Sequence, residues 1–522
     1  LHRQRKVGHM YVSFSLIRRA TVLTLKNGIK DELLDMSHDE VPKTQRALVF
    51  QGGGALGAYD AGVFSALYEK IGQKEGFDKL FDIVAGTSSG AMNGAILVSH
   101  VIENKTWQGS QDELSDFWRY VSTDVDLRYW YPYAPTSKDW VSQWNIQKQL
   151  YPNLASGESA RRYYSTKQFL CSGVPHVYLP QFSTPCQPFN GPPRADYKFL
   201  DNFSVPVNNT WYIYTNQPLK ESLARFAKFP IATSFDRKQP RLLLVSVDVQ
   251  EGAVVTFDSY PKNENGIIRK SWYGNYDSKN GRHEYTISYS DGIRLDYAVA
   301  SGSFPINYDY TKIADVNRLD SIGNSASHKV TRYFWDGGIL SNTPLRELIQ
   351  WHKDYWYRVM GKEADNAAVP NLDVYIVDVW PTREENIPLD HDGALDRKED
   401  LLLNDKTDYD QKVADIVSDY ITLFHRTREV ALNYIKGQNE KKSFQTDLDK
   451  LLTKEGTKSK HRTGQPRQYK DLINGRFDIK VTRIERTKNV GYDICNKAMD
   501  YSMQTIQQLI QDGYDDAIEQ IK

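Results

Sequence analysis

Cysteine is scarce: Cys171, Cys186 and Cys495 are the three in 522 residues, with no C-x-x-C among them. Neither a disulfide framework nor a zinc site is expected from so few, and the scarcity fits a reducing compartment. Net charge is also missing, because 66 Lys and Arg balance 66 Asp and Glu. Nothing therefore draws the chain as a whole to nucleic acid. No apolar run is long enough to span a bilayer. The run at 11–17 is too short for a secretory leader and is cut off by Arg18 and Arg19. These absences lead to the expectation of a cytoplasmic protein that is peripheral to a membrane at most.

The chain does have length enough for a sizeable core. Aromatics make up 12% of it, with 33 Tyr and 11 Trp. Many fall in two stretches without periodicity. One is 107–151, with Trp118, Tyr129, Trp130, Tyr131, Tyr133, Trp140 and Trp144, and the other is the proline-rich 171–218. Insertions of this length are more often functional than not, so they read either as a lid or acyl-chain groove or as plain packing. Residues 1–30 carry Arg3, Arg5, Lys6, Arg18, Arg19, Lys26 and Lys30 and no acid. They read as a basic tail, as an extension upstream of a start at Met10, or as a stretch that touches anionic lipid.

Chemistry concentrates at 81–95, FDIVAGTSSGAMNGA. The apolar, partly β-branched 83–85 reads as a buried strand and 91–98 as a packed helix. Between them lies Gly86-Thr87-Ser88-Ser89-Gly90, a G-x-S-x-G. A serine on a sharp strand-to-helix turn needs neighbours without side chains, and the helix N-terminus behind it favours an alkoxide or oxyanion. Ser88 is thus the candidate nucleophile, with Ser89 as supporting neighbour.

A second strand, 46–50, runs into Gly52-Gly53-Gly54-Ala55-Leu56-Gly57 and an apolar-periodic helix at 58–71. The Gly52-x-Gly54-x-x-Gly57 spacing would also suit a dinucleotide. That reading needs an acid at the far end of the next strand, whereas Asp82 stands at its beginning. The other reading is an oxyanion hole built from the loop's amides and facing Ser88. Further on, YFWDGG places Asp336 before Gly337 and Gly338. An acid before glycines is ordinarily a turn, as at Asp291-Gly292 and Asp392-Gly393; Asp336 stands out through its partners.

Further strands are read at 241–249, 371–379 and 477–484. Residues 387–411 read as a charged loop. From Lys412 the periodicity is helical, broken by a solvated loop at 454–466, and the helix at 501–521 is read as bent or broken at Gly513. Strands alternating with helices argue an α/β sheet covered on both faces. No internal repeat is seen.

GGGALG, GTSSG and DGG in this order together resemble the patatin-like phospholipase family, and QGGGALGAYDAGVF, ASGSFPI and DGGILSNTPL look like a bacterial-type subgroup of it. The resemblance implies a three-layer α/β/α fold with a mostly parallel central sheet. It also implies acyl-ester hydrolysis of glycerolipids by a Ser–Asp dyad, with no metal, no cofactor and no catalytic histidine. Carried onto this chain, Ser88 is the nucleophile and Asp336 the proton acceptor. Gly52, Gly53, Gly54 and Gly57 supply the oxyanion hole, and Gly86, Gly90, Gly337 and Gly338 support the motifs. Much of the family carries Arg or Lys where Leu56 stands; a base there would favour an anionic headgroup or brace the loop. The expected division is a basic extension at 1–44, a catalytic domain at 45–385 with insertions at about 105–220, and a mostly helical extension at 386–522.

The expected partner is a lipid or acyl ester, with transient membrane-surface contact and no nucleic acid. Rival readings are a Ser–His–Asp hydrolase using His352 or His425, a catalytically silent lipid-binding scaffold, and an acyltransferase.

Overall fold

The structure is a computed structural model. It describes residues 41–124, 157–180, 212–262, 268–277, 281–319, 328–360, 369–385, 387–389, 391–460, 466–487 and 496–521. Tyr129, Trp130, Tyr131, Tyr133, Trp140, Trp144, Cys186, Cys495 and the basic residues of 1–30 lie outside these, and with them the tail reading and part of the lid or groove reading; of the two aromatic stretches, 107–124, 171–180 and 212–218 are described. Trp118 is described and buried.

Apolar runs that lack alternation become strands buried on both faces. In β1 (Thr44–Phe50), Leu48 and Phe50 enter one core while Ala47 and Val49 enter the other. β2 (Ile83–Thr87) and β5 (Arg241–Asp248) divide in the same way: Val84, Leu242 and Leu244 join the first core, and Ile83, Ala85 and Leu243 the second. The small two-stranded pairs are β3 (Leu179–Pro180) with β4 (Tyr214–Thr215), and β12 (Glu455–Lys460) with β13 (Pro466–Gln468). The main sheet is completed by β6 (Ala253–Asp258), β7 (Lys270–Asp277), β8 (Gly281–Ser288), β9 (Thr311–Leu319), β10 (His328–Asp336), β11 (Asn371–Asp378) and β14 (Ile479–Glu485).

It has ten strands in the order β14-β11-β1-β2-β5-β10-β9-β8-β7, with β6 also on β5. From β14 to β5 every neighbouring pair is parallel; from β5 onward every pair is antiparallel.

In chain order the helices are α1 (Gly57–Glu75), α2 (Ser89–Asn104), α3 (Ser110–Val121), α4 (Gly157–Ser172), α5 (Gln217–Phe226), α6 (Leu295–Ser301), α7 (Leu345–Asp354), α8 (His391–Leu403), α9 (Asp408–Tyr434), α10 (Gln438–Leu452), α11 (Lys470–Ile473) and α12 (Met503–Gln520). Phe64, Ile96, Trp118 and Leu509, from α1, α2, α3 and α12, cover one face of the sheet. Leu348 and Trp351 of α7, with the π-helical turn Tyr355–Met360, cover the other. The result is a three-layer α/β/α arrangement.

Four expectations change. Residues 387–411 contain the helix α8, which a lysine and two aspartates hold in place: Lys497, fully buried, reaches Asp400 at 2.6 Å and Asp396 at 3.2 Å. The loop read at 454–466 includes the β12–β13 pair. Gly513 does not break α12, which runs unbroken from Met503 to Gln520. A Cβ on Gly513 would lie 2.2 Å from the Tyr59 carbonyl oxygen, and one on Gly62 would lie 1.9 Å from that of Ile510. The two glycines let α1 and α12 pack backbone to backbone. Finally, Cys171 is disulfide-bonded, so the cysteines no longer argue for a reducing compartment.

The boundary read at 385 falls inside one compact unit that runs from Thr44 to Lys522. Beyond that boundary β14 pairs with β11, so the same sheet draws on both sides of it. Among the described residues no helix is long and apolar enough to cross a membrane.

Candidate active site

β5 places the two chemical groups. Along one edge of β5, β2 pairs in parallel as far as Val245, and β6 occupies the opposite edge. From Ser246 onward the first edge is taken by β10, running the other way. β2 and β10 therefore meet end to end, and the residues at their tips are Ser88 and Asp336. Ser88 Oγ donates to Asp336 Oδ2 at 2.6 Å.

The turn after β2 is tight. Ser88 has φ 55° and ψ −124°, a left-handed backbone that costs a non-glycine residue about 1–3 kcal/mol and persists only where its surroundings impose it. They do so here through close approach. A Cβ on Gly86 would sit 2.2 Å from the Gly90 carbonyl oxygen, and one on Gly90 would sit 2.6 Å from that of Phe50. The Ser88 amide donates to Ser301 Oγ at 2.9 Å, and Ser301 in turn donates to the Val245 carbonyl at 2.6 Å. The nucleophile turn is thus tied back to β5 through the end of α6.

Asp336 is 1% exposed, and among the described residues no cation lies beside it. Burial raises its pKa to about 7, against the opposing pull of the Ser88 hydroxyl and the Gly338 amide. That amide donates to Oδ1 at 2.7 Å, and the Asp336 amide donates to the Ser303 carbonyl at 2.9 Å. Gly337 opens the single 3-10 turn that carries the chain away from the acid.

The glycine loop stands opposite. The Gly52 amide donates to the Asn342 carbonyl at 3.3 Å and the Gly53 amide to Ser89 Oγ at 3.0 Å. The Gly57 amide caps the short 3-10 turn before it, on the Ala55 and Gly54 carbonyls. Among the described residues the Gly54 amide makes no hydrogen bond. The Gly52 carbonyl is held by Trp380 Nε1 at 2.6 Å and Asn342 Nδ2 at 3.1 Å. Gln51 joins strand to strand: its Oε1 accepts from the Val379 amide at 2.8 Å, and its Nε2 donates to Thr343 Oγ1 at 3.0 Å. Leu56 is fully buried in the core under the loop and is not among the residues that line the cavity.

Ser88, Asp336 and the glycines 52–54 open into one cavity of about 350 Å³. Its wall is mainly apolar, with Met92, Phe117, Val121, Leu219, Phe304 and Tyr308 among the side chains. The remaining wall comes from far along the chain: Leu402 and Leu403 from α8, and Ala498, Met499 and Tyr501 just before α12. Among the described residues no histidine lines it. His352 is fully buried, with Nε2 at 2.7 Å from the Pro370 carbonyl, and burial lowers its pKa to about 3. His425 contacts the Ile473 carbonyl at 2.9 Å. Both are structural, and the Ser–His–Asp rival has no imidazole to use among the described histidines. Among the described residues no cluster of three metal-binding side chains occurs.

Ser301 and Asn342 were legible only as members of ASGSFPI and DGGILSNTPL, and Trp380 carried no signal at all. Each holds the site through a contact that spans dozens to hundreds of residues, which no local pattern reports.

A family model described as patatin-like phospholipase matches residues 48–349, more than half of the chain. VipD from Legionella pneumophila, a crystal structure, matches over 92% of this chain and 66% of its own, at 11% identity and a TM-score of 0.25. Human GIVD cytosolic phospholipase A2, in complex with methyl gamma-linolenyl fluorophosphonate, matches over 45% of this chain and 26% of its own, at 16% identity and a TM-score of 0.17. The chain thus covers just under two thirds of the first protein and about a quarter of the second. No curated protein matches the sequence.

Proposed function

The chain belongs to the patatin-like phospholipase family, and from that premise we propose that it is a lipid acyl hydrolase and releases fatty acids from glycerolipid or phospholipid esters through a Ser88–Asp336 dyad. The observation that carries this reading is the 2.6 Å hydrogen bond from Ser88 Oγ to Asp336 Oδ2 at the head of an apolar cavity.

A carboxylate in water, with a pKa near 4, is a feeble base toward a hydroxyl. At about 7 Asp336 is a much stronger one, and it is still partly ionised at neutral pH, the compromise that general-base catalysis favours. In the first half-reaction Asp336 takes the Ser88 proton as Oγ attacks the ester carbonyl. The tetrahedral oxyanion is held by the Gly54 amide and the N-terminal end of α2, with the Gly53 amide joining once Ser89 releases it. Gly52 and Gly57 serve by giving room. Asp336 then protonates the departing alcohol oxygen, leaving an acyl-Ser88 ester. In the second half-reaction water takes the place of the alcohol: Asp336 removes its proton, the fatty acid leaves, and the proton returns to Ser88. The acyl chain lies along the Met92, Phe117 and Phe304 wall, where burial of each methylene contributes about 0.8 kcal/mol.

The test is labelling of the purified protein with a fluorophosphonate probe, alongside fatty-acid release from mixed glycerolipids. Ser88→Ala is expected to lose labelling and to lower release by roughly 10⁴-fold or more. Unchanged labelling in a folded Ser88→Ala protein would remove the nucleophile assignment.

A further inference from the structure

Among the described residues, α9 is a 27-residue helix whose inner face alone is packed against the rest of the chain. On the inner face Ile421 is buried, Ser418 Oγ donates to the Phe477 carbonyl at 2.6 Å, and His425 contacts the Ile473 carbonyl at 2.9 Å. These contacts fix the rotation of the helix about its own axis. The outer face is apolar and faces solvent. From Tyr409 to Tyr434 large apolar side chains recur at alternating steps of four and three residues, with Thr427 as the one polar member. Those apolar residues are 39 to 83% exposed. A stripe with a strict 3.5-residue period is the narrow seam of a coiled coil, distinct from the wider face that packs a helix on a globular core.

We propose that this seam is a self-association surface, and that a second copy of this chain pairs with it helix to helix in antiparallel orientation. With the two-fold axis between Ile421 and Thr422, every seam residue finds a seam partner. Tyr420 meets the second copy's Leu423, Ile416 its Thr427, Val413 its Val430 and Tyr409 its Tyr434. The flanks agree. Asp419 then lies beside the second copy's Arg426, twice by symmetry, and Val417 beside its Phe424. Neither Asp419 nor Arg426 has an ion-pair partner among the described residues. A parallel pairing would set Asp419 against Phe424 and Arg426 against Ala431, charge against apolar. An anionic bilayer is the poorer occupant, because Asp410 and Asp419 offset Lys412 and Arg426 along the flanks of the seam, where a membrane-surface helix carries an excess of Lys and Arg. The paired seam is about 40 Å long.

The test is the mass of the full chain in solution, by light scattering across a range of protein concentrations, on wild type, Ile416→Asp with Leu423→Asp, Asp419→Arg, Arg426→Asp, and the Asp419→Arg/Arg426→Asp double variant. Wild type is expected near twice the 60.0 kDa chain mass. The seam variant is expected to be monomeric with an unchanged melting temperature, since both positions are exposed. Each single charge reversal is expected to raise the dissociation constant about tenfold, and the double reversal to restore it. A monomeric wild type overturns the proposal, as does a dimer indifferent to the seam variant. So does a monomer that sediments with phosphatidylglycerol vesicles through this face.

Discussion

At the start of β5, Arg241 pairs with Asp258 in a pocket where both are buried, and Lys262 reaches the same carboxylate. At the end of β5, Ser246 lies opposite Asp336, which is as deeply buried and whose carboxylate, among the described residues, is hydrogen-bonded by a hydroxyl and an amide. Burial by itself pushes both carboxylates up. At Asp258 that push is outweighed by Arg241 and Lys262, and the pKa falls to about 2; at Asp336 nothing outweighs it, and the pKa rises to about 7. One end of the strand is thus held together by a carboxylate that cannot be protonated at working pH. The other exposes a reactant to one that can. Between these two acids the difference is the presence of a neighbouring cation, not the depth of burial.

The most direct way to break this comparison is to neutralise each acid without changing its shape. Asp336→Asn should lower kcat for any ester by about 10²–10⁴-fold, the usual worth of a general base, measured as fatty-acid release with folding checked by circular dichroism. Its effect on stability should carry the opposite sign. A carboxyl whose pKa is raised from 3.8 to about 7 holds its proton more tightly when folded, so it destabilises the fold progressively as pH climbs from about 4 to 7. The amide removes that cost, and urea titration should find Asp336→Asn more stable than wild type at pH 8, by up to about 4 kcal/mol, and equal to it near pH 4. If it is less stable at pH 8, Asp336 is not the strained group described here.

Asp258→Asn should do the reverse. It leaves Arg241 and Lys262 buried without their counter-charge, a loss of about 3–5 kcal/mol, while turnover per folded molecule stays near wild type. Because the Asp258 pKa is lowered, its stabilisation is complete above about pH 4 and fades as pH falls toward 2, amounting to about 2 kcal/mol. A denaturation midpoint unchanged in Asp258→Asn at pH 7 would show that the cluster is not what anchors that end of β5.

The pH profile sharpens the contrast. With Asp336 as the base, kcat/KM on a soluble ester should rise with pH and level off above an apparent pKa near 7. A flat profile from pH 5 to 8 would mean that some other group takes the proton. The smallest expected effect is at Asn342, which braces the glycine loop through the Gly52 carbonyl and α8 through the Leu403 carbonyl. Asn342→Ala should lower kcat roughly tenfold by letting the oxyanion donors drift, with the fluorophosphonate still labelling Ser88. Complete loss of labelling would give Asn342 a larger part than bracing.

The parts of the site that were legible in the sequence are the locally encoded ones. The strand-to-helix turns around Gly52–Gly57 and Gly86–Gly90 are set by sterics within a few residues, and so is the turn after Asp336; glycine placement and apolar runs report them directly. α8 was misread because its helical residues are charged and its anchor, Lys497, lies almost a hundred residues away. Gly513 was misread because a glycine's reason can be a neighbouring helix, and sequence shows the glycine without the neighbour. The three motifs and the alternating strands thus sufficed for the family and the layered fold. That β2 and β10 would share one edge of β5 and meet tip to tip was decided only by the tertiary structure, as was the closure of the cavity by residues 498–501. Both depend on register and packing between segments hundreds of residues apart, and no local pattern carries that information.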